Sequence, residues 1–322
     1  MNHPQISQIT QREIATKRRK RHKSEFLFLL LLIFVISGCA RKSSTSHIDP
    51  KAYALELSQW QQQRWADLKS DSGWLTLVGL FWLKEGENRF GSDRANEIVI
   101  PKLAARAGSF QLVKGTVKIE TTQPGFTVDG KPIKLLALKT DDDDQSTIVH
   151  FDSMTFQIIK RGDRLGLRVK DSQNSDRLNF KDTEFYPAAL KWRVEAQFEP
   201  YNPPKQMPIM NVLNMESSES SPGAIKFKVD GQEYRLDAIT EKDEPRLFMI
   251  IADKTSGKET YPAGRYLYVD PPDASGHVVI DFNKAYSPPC AFTKFATCPL
   301  PPKQNRLPFA IEAGEKYRKH AE

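Results

Sequence analysis

Between Gly86 and Val169 the chain is written in short alternating or apolar runs cut by turn residues, a pattern that commits it to β structure. Segments 97–100, 109–113, 116–120, 126–128, 133–138, 147–150, 155–159 and 165–169 each have the length and side-chain alternation of a strand. Asp129-Gly130 separates two of them, and an Asp-Gly pair suits the positive φ values of a primed hairpin turn. Strands recurring every 8–12 residues without helical patterns between them predict an antiparallel β-sandwich over 73–175.

A second β-rich domain is expected over 176–322. Segment 188–198 reads as a strand, 201–215 as a Pro- and Met-rich connection, and 224–236 as a hairpin around Asp230-Gly231. Runs at 246–251, 265–269 and 277–282 complete a meander or open barrel, with the last two as possible hairpin neighbours. Ahead of both domains, Tyr53, Leu57, Trp60, Arg64 and Leu68 recur at helical spacing and predict an amphipathic helix over 51–72, ended by Gly73. On that stripe Arg64 should pack its stem and send its head to solvent or a carboxylate.

Glu87-Asn-Arg-Phe-Gly-Ser-Asp-Arg-Ala-Asn-Glu-Ile-Val-Ile100, VDGKPI at 128–133 and FQIIKRGD at 156–163 together resemble the layout of forkhead-associated domains. The resemblance implies a β-sandwich. The residues that hold phosphothreonine in that family are not carried over. Gly91-Ser92 stands where the family has Gly-Arg, and Ala105-Arg106-Ala107 stands where its Ser-Arg-x-His region would fall.

The net charge of +7 suggests a nucleic-acid binder until it is divided. Residues 1–38 hold seven basic residues against Glu13 and Glu25, so all but +2 of the charge belongs to the leader. The chain beyond residue 38 offers no charge argument for nucleic acid. The 39% apolar and 27% charged composition excludes disorder and a polytopic membrane protein. Lys17–Lys23 is a basic n-region and Phe26–Ile36 an apolar run of eleven residues, a signal h-region rather than a stable span. Ile36-Ser37-Gly38-Cys39 resembles the lipobox of bacterial lipoproteins, the alternative being an uncleaved signal anchor with a chance cysteine. The resemblance implies diacylglycerol on the Cys39 sulfur, cleavage before it and acylation of the new N-terminus. Ala40 follows where Asp would suggest inner-membrane retention, so an outer-membrane lipoprotein facing the periplasm is expected, tied by a tether over 39–50. Of three cysteines this leaves Cys290 and Cys298, an expected disulfide in an oxidising compartment.

Segment 281–315 carries Pro288, Pro289, Pro299, Pro301, Pro302 and Pro308, so little of its middle can join a sheet ladder. It reads as a functional loop or as a cover over the open end of a barrel. With TSGKETYPAGRYLYV (255–269), GWLTLVGLFWLKEGENRFGSD (73–93) and DRLGLRVKD (163–171), it resembles the family designated domain of unknown function 1684. That resemblance brings no activity.

Arg265, Tyr266, Asp281, Asn283, Tyr286, Asn305 and Arg306 could line a polar pocket for a carboxylate, phosphate or sugar. Equally, Arg265 could pair with Asp281 inside the protein while the asparagines bond loop backbone. Cysteine catalysis would need Cys290 or Cys298 beside His150 or His277, and a disulfide would silence both thiols. Asp141–Asp144 lacks the spacing of a calcium loop and reads as a solvated turn. Glu312 and Glu315 read as solvent-facing carboxylates on a short terminal helix. With no metal motif, cofactor motif or nucleophile elbow, the chain reads as a non-catalytic envelope module for a small polar ligand, glycan or protein. The alternative is a hydrolase-like enzyme acting on envelope material through 255–315.

Overall fold

In the computed structural model, residues 48–317 are described; the leader, Cys39, most of the tether and His320 lie outside the described residues. Helix α1 (Pro50–Lys69) starts where the Asp49 carboxylate accepts the Lys51 amide at 3.1 Å. Pro50 takes a first-turn position, where an amide would have no intrahelical partner. Tyr53, Leu57 and Leu68 are buried, with Trp60 and Arg64 half-buried between them, so the stripe faces inward. After Ser70 the chain turns back so tightly that a Cβ on Gly73 would lie 2.4 Å from the Leu68 carbonyl oxygen.

A 3-10 turn, Trp74–Thr76, leads into the sandwich. Its strands are β1 (Leu77–Trp82), β2 (Gly86–Gly91), β3 (Ile98–Val99), β4 (Gly108–Val113), β5 (Thr116–Thr121) and β6 (Thr127–Val128). Then come β7 (Lys131–Pro132), β8 (Leu135–Leu138), β9 (Ile148–Phe151), β10 (Met154–Arg161) and β11 (Arg164–Asp171). One sheet has the order β1-β11-β10-β9-β6-β7 and the other β3-β2-β4-β5-β8. All pairings are antiparallel except the two-residue contact of β2 with β3. In β5 the alternation is complete: Val117, Ile119 and Thr121 are buried while Thr116, Lys118 and Glu120 are exposed. Phe90, Phe110, Phe126 and Phe156 meet in the core at ring separations of 4.9 to 5.7 Å. At the β6–β7 hairpin, Asp129 and Gly130 take φ values of 49° and 72°, the primed turn expected of them.

Beyond the short helix α2 (Ser175–Leu178) come β12 (Arg193–Met210), β13 (Glu216–Val229), β14 (Gln232–Asp237) and β15 (Ile239–Glu241). These are followed by β16 (Glu244–Ile251), β17 (Arg265–Val269) and β18 (His277–Asp281). They form a four-stranded sheet, β14-β13-β12-β18, and a three-stranded sheet, β15-β16-β17. Ile225, Phe227, Leu236, Met249, Ile251, Leu267, Ile280 and Phe282 fill one core with residues from both sheets. The protein is thus mainly β, with an N-terminal helix and several antiparallel sheets, as its patterning predicts.

Two expectations are corrected. The Pro-rich 201–215 is not a plain connection, because β12 runs on to Met210. The ladder with β13 is interrupted between Pro200 and Lys205, where Pro203 and Pro204 stand, and β18 pairs only with residues 193–197. The prolines therefore fall where strand pairing is broken or one edge is open. Nor are β17 and β18 hairpin neighbours: β17 pairs with β16, and β18 with β12. Pro271 and Pro272 in the connection offer no amide donors for a hairpin ladder. After β18 the chain runs through 3-10 turns at Phe282–Lys284, Pro289–Ala291 and Lys303–Asn305. Leu307, Ile311 and Ala313 of this segment complete the core that both sheets share. No helix among the described residues is long and apolar enough to cross a membrane.

Candidate functional site

Helix α1, the turn after it, β11 and the three-stranded sheet enclose a cleft of about 720 Å³. Its aromatic walls follow from sheet and helix periodicity. Tyr266 and Tyr268 stand two apart on β17 and so share a face, with Phe248 of β16 opposite Tyr268. Tyr286 arrives from the Pro-rich segment, exchanging backbone hydrogen bonds with Tyr266 at 2.8 and 2.9 Å. Tyr286 stacks on Tyr268 at 6.4 Å, and Trp60 from α1 meets it at 6.5 Å. Trp74 supplies the far wall. Such clefts, apolar-walled with a few convergent polar groups, are what small-molecule sites are made of.

The charges are set by equally specific contacts. Arg64 lies 4.6 Å over the Tyr286 ring, with Nε 3.2 Å from Glu315 Oε2, and Nη2 donates to the Ser287 carbonyl at 2.8 Å. Arg64 thus packs its stem and finds a carboxylate, as its place on the stripe requires. Glu315 is fully buried and lies on no helix, which corrects the expectation for it, whereas Glu312 is exposed as expected. The segment docks there through the Glu315 amide, donating to the Ala285 carbonyl at 2.8 Å. Burial raises the Glu315 pKa and Arg64 opposes the rise. Arg246 forks onto Glu244 at 2.9 and 2.7 Å and covers the Tyr268 ring at 4.4 Å, holding the Glu244 pKa down to about 2. Glu241 is exposed as a residue but accepts the Tyr268 hydroxyl, and partial desolvation of its carboxyl raises its pKa. A smaller cleft of about 190 Å³ shares Trp60, Arg246, Tyr268 and Tyr286 with the first and adds Asp281 and Lys284.

Of the seven residues grouped in the sequence as a polar pocket, Tyr266 and Tyr286 alone line the larger cleft, which the helical-stripe residues Trp60, Arg64 and Leu68 also line. Arg265 is fully buried and pairs with Asp253 at 2.7 Å, not with Asp281 or Asn283. It also donates to the carbonyls of Ala313 and, at 3.0 Å, Ile311. Asp281 and Asn283 instead hold the helix: Tyr53 donates to Asp281 at 2.8 Å and accepts from Asn283 at 2.9 Å. Asn305, fully buried, bonds the Asp237 amide and carbonyl at 2.8 Å each and the Ile250 carbonyl at 3.1 Å. Arg306 is exposed. Arg265, Asp281, Asn283 and Asn305 thus pin the Pro-rich segment and α1 to the sheets.

The expected disulfide is also corrected: Cys290 and Cys298 are free thiols, and the Cys298 sulfur is turned to accept the Cys290 amide at 3.0 Å. A hydrogen bond from Cys298 holds the Cys290 pKa below its ordinary value, against its burial. His277 is engaged with Glu195. At the acidic turn, Asp141, Asp142 and Asp144 pair with Arg161, Lys160 and Lys242 at 2.8 to 3.1 Å, so neighbouring cations compensate the carboxylates. Among the described residues no group of His, Cys, Asp and Glu could hold a metal ion.

Trp74, Tyr268, Lys170, Glu241 and Arg246 were not visible as site residues in the sequence. The one local signal was Tyr266-x-Tyr268, two aromatics on one face of a single strand.

In the second β-rich part, residues 178–316 match the family described as Protein of unknown function (DUF1684). The stretches 73–93 and 163–171, expected from the sequence to belong to the same resemblance, lie outside the match. No curated protein matches the chain. It is similar to an uncharacterised protein of Haloarcula marismortui, solved in solution, at 30% identity over 44% of this chain and 78% of that one, with a TM-score of 0.37. A structure from work on phosphothreonine-dependent FHA domain interactions matches at 15% identity over 30% of this chain and 96% of that one, with a TM-score of 0.21.

Proposed function

We propose that the protein is a non-catalytic binding module of the cell envelope, and that the cleft between α1 and the three-stranded sheet takes its small polar ligand. The observation that carries this reading is the cleft itself: about 720 Å³, walled by Trp60, Trp74, Phe248 and three tyrosines, with charged heads at fixed positions. Rings held against one another present flat faces to a sugar or unsaturated ring at little entropic cost. Attachment through a lipidated Cys39 would leave this body in the periplasm, tied to the outer membrane. A thermal-shift screen of the full chain against sugars, nucleotides and carboxylates tests the cleft. One class should raise the melting temperature of the wild type and not of Trp60→Ala. A flat response in every class overturns the small-ligand reading and leaves a protein partner. Cys39→Ser should release the chain from the membrane fraction, and a variant that still pellets overturns the anchor.

A hydrolytic role is the second reading, and Glu241 favours it: a carboxyl in the cleft with a raised pKa, hydrogen-bonded to Tyr268, has the properties of a general acid. Turnover of envelope glycans that Glu241→Gln abolishes would select it over plain binding.

A further inference from the structure

Two cations flank Trp74 at one end of the cleft, Lys170 within its lining and Arg168 outside it, and among the described residues no carboxylate is bonded to either. In β11, Leu165, Leu167 and Val169 point into the sandwich core, so Arg168 and Lys170 project from the opposite face. There they flank Trp74, with the Arg168 guanidinium 5.3 Å and the Lys170 ammonium 5.8 Å from its ring centroid. Lys170 lines the cleft and donates only to the Ser72 carbonyl among the described residues. Arg168 is 94% buried, taking its 6% exposure from unity, yet its Nε and Nη2 have no acceptor among the described residues. Asp141, whose charge favours the Arg168 guanidinium, is already bonded to Arg161 at 2.8 Å, and Arg161 itself repels Arg168. Burial, with that repulsion, pushes the Arg168 pKa down to about 10, and burial with Arg168 lowers that of Lys170. The cleft's own carboxylates are occupied elsewhere, Asp67 with Gln63 and Glu241 with Tyr268.

An uncompensated buried guanidinium is costly, and a protein that keeps one calls for a reason, of which a bound anion nearby is one. Resting on the reading of the cleft as a ligand site, we propose that its Trp74 end is an anion subsite, where Lys170 receives the carboxylate or phosphate of a small ring-bearing anion and Arg168, beside the same ring, adds its charge from outside the lining. The ring of that anion lies among the aromatic walls. The class is an organic anion, as distinct from a neutral glycan.

The test uses the full chain in detergent and matched probes: glucose 6-phosphate against glucose, and 4-hydroxybenzoate against 4-hydroxybenzyl alcohol. At least one charged member should raise the melting temperature while its neutral twin at equal concentration does not. Which pair responds assigns phosphate or carboxylate. Arg168→Met and Lys170→Met should each weaken the responding probe at least about tenfold by calorimetry. Without ligand, Arg168→Met should melt no lower than the wild type, because it removes an unpaired buried charge; a merely structural arginine would lower it. Neutral probes that bind as well as charged ones, with Trp60→Ala sensitivity retained, overturn the anion subsite and leave the cleft standing. Probes that bind equally to Arg168→Met overturn it as well. No response to any probe removes the subsite and the cleft reading together.

Discussion

Replacing Arg265 by alanine removes the only cation that meets Asp253 in the described structure, where both side chains are fully buried. The carboxylate would be left in a low-dielectric core with the Thr255 amide and hydroxyl as its remaining short-range donors, together with the Ile311 amide at 3.2 Å. Breaking a buried pair by deleting one partner costs about 3–5 kcal/mol, since the surviving charge keeps its desolvation penalty. The carbonyls of Ala313 and Ile311 lose a donor as well, which places the expected loss at the upper end of that range. For the folded residues 48–317, that corresponds to a fall in melting temperature of roughly 5–9 °C. Near-ultraviolet circular dichroism in a urea series gives the free energy directly. Arg265→Lys should recover part of the loss, because an ammonium keeps the charge without the three-way fork. Ligand binding in the cleft should survive in either variant under conditions where it is folded. An Arg265→Ala protein within about 1 kcal/mol of the wild type would refute the assignment of this arginine as the clamp on the C-terminal segment.

The remaining outcomes rest on the same kinds of contact. Tyr53→Phe removes a hydroxyl that both donates to Asp281 and accepts from Asn283, and should cost about 1–3 kcal/mol in denaturant unfolding; no loss would mean α1 docks by apolar contact alone. Asn305→Ala should cost roughly 2–3 kcal/mol, since Asp237 and Ile250 backbone groups are left unpaired inside the protein. Burial raises the Glu315 pKa above the ordinary 4.5, so its favourable contribution is complete below that pH and is lost as pH rises through the folded value. The melting temperature of Glu315→Gln should therefore gain on the wild type between about pH 4 and pH 8, and a constant difference would contradict the sign.

Much of the fold was written locally. The alternation of Val117, Ile119 and Thr121, the Asp129-Gly130 turn and the helical stripe from Tyr53 to Leu68 each act over a few residues, and each is found where the pattern places it. What the sequence did not show depends on contacts distant in the chain. Arg265 could have met either Asp253 or Asp281, and sheet order decided it: β17 lies beside β16, whose chain continues into Asp253, while Asp281 ends a strand of the other sheet. The strand character of 201–210 was hidden by prolines whose cost vanishes at a broken ladder and an open edge. The cleft was legible in pieces only. Trp60, Arg64, Tyr266 and Tyr286 were all noticed, but nothing local says that α1, β17 and the Pro-rich segment converge, or that Lys170 joins them from the sandwich.

The most direct measurement is calorimetric titration of the best compound from the thermal screen into three full-length proteins: wild type, Trp60→Ala and Trp82→Ala. Trp82 serves as the control because it stacks under Arg164 on the sandwich and does not line the cleft. A ligand seated between α1 and the three-stranded sheet should bind Trp82→Ala like the wild type and Trp60→Ala at least about tenfold more weakly. Equal affinity for all three would place the ligand elsewhere and contradict the account.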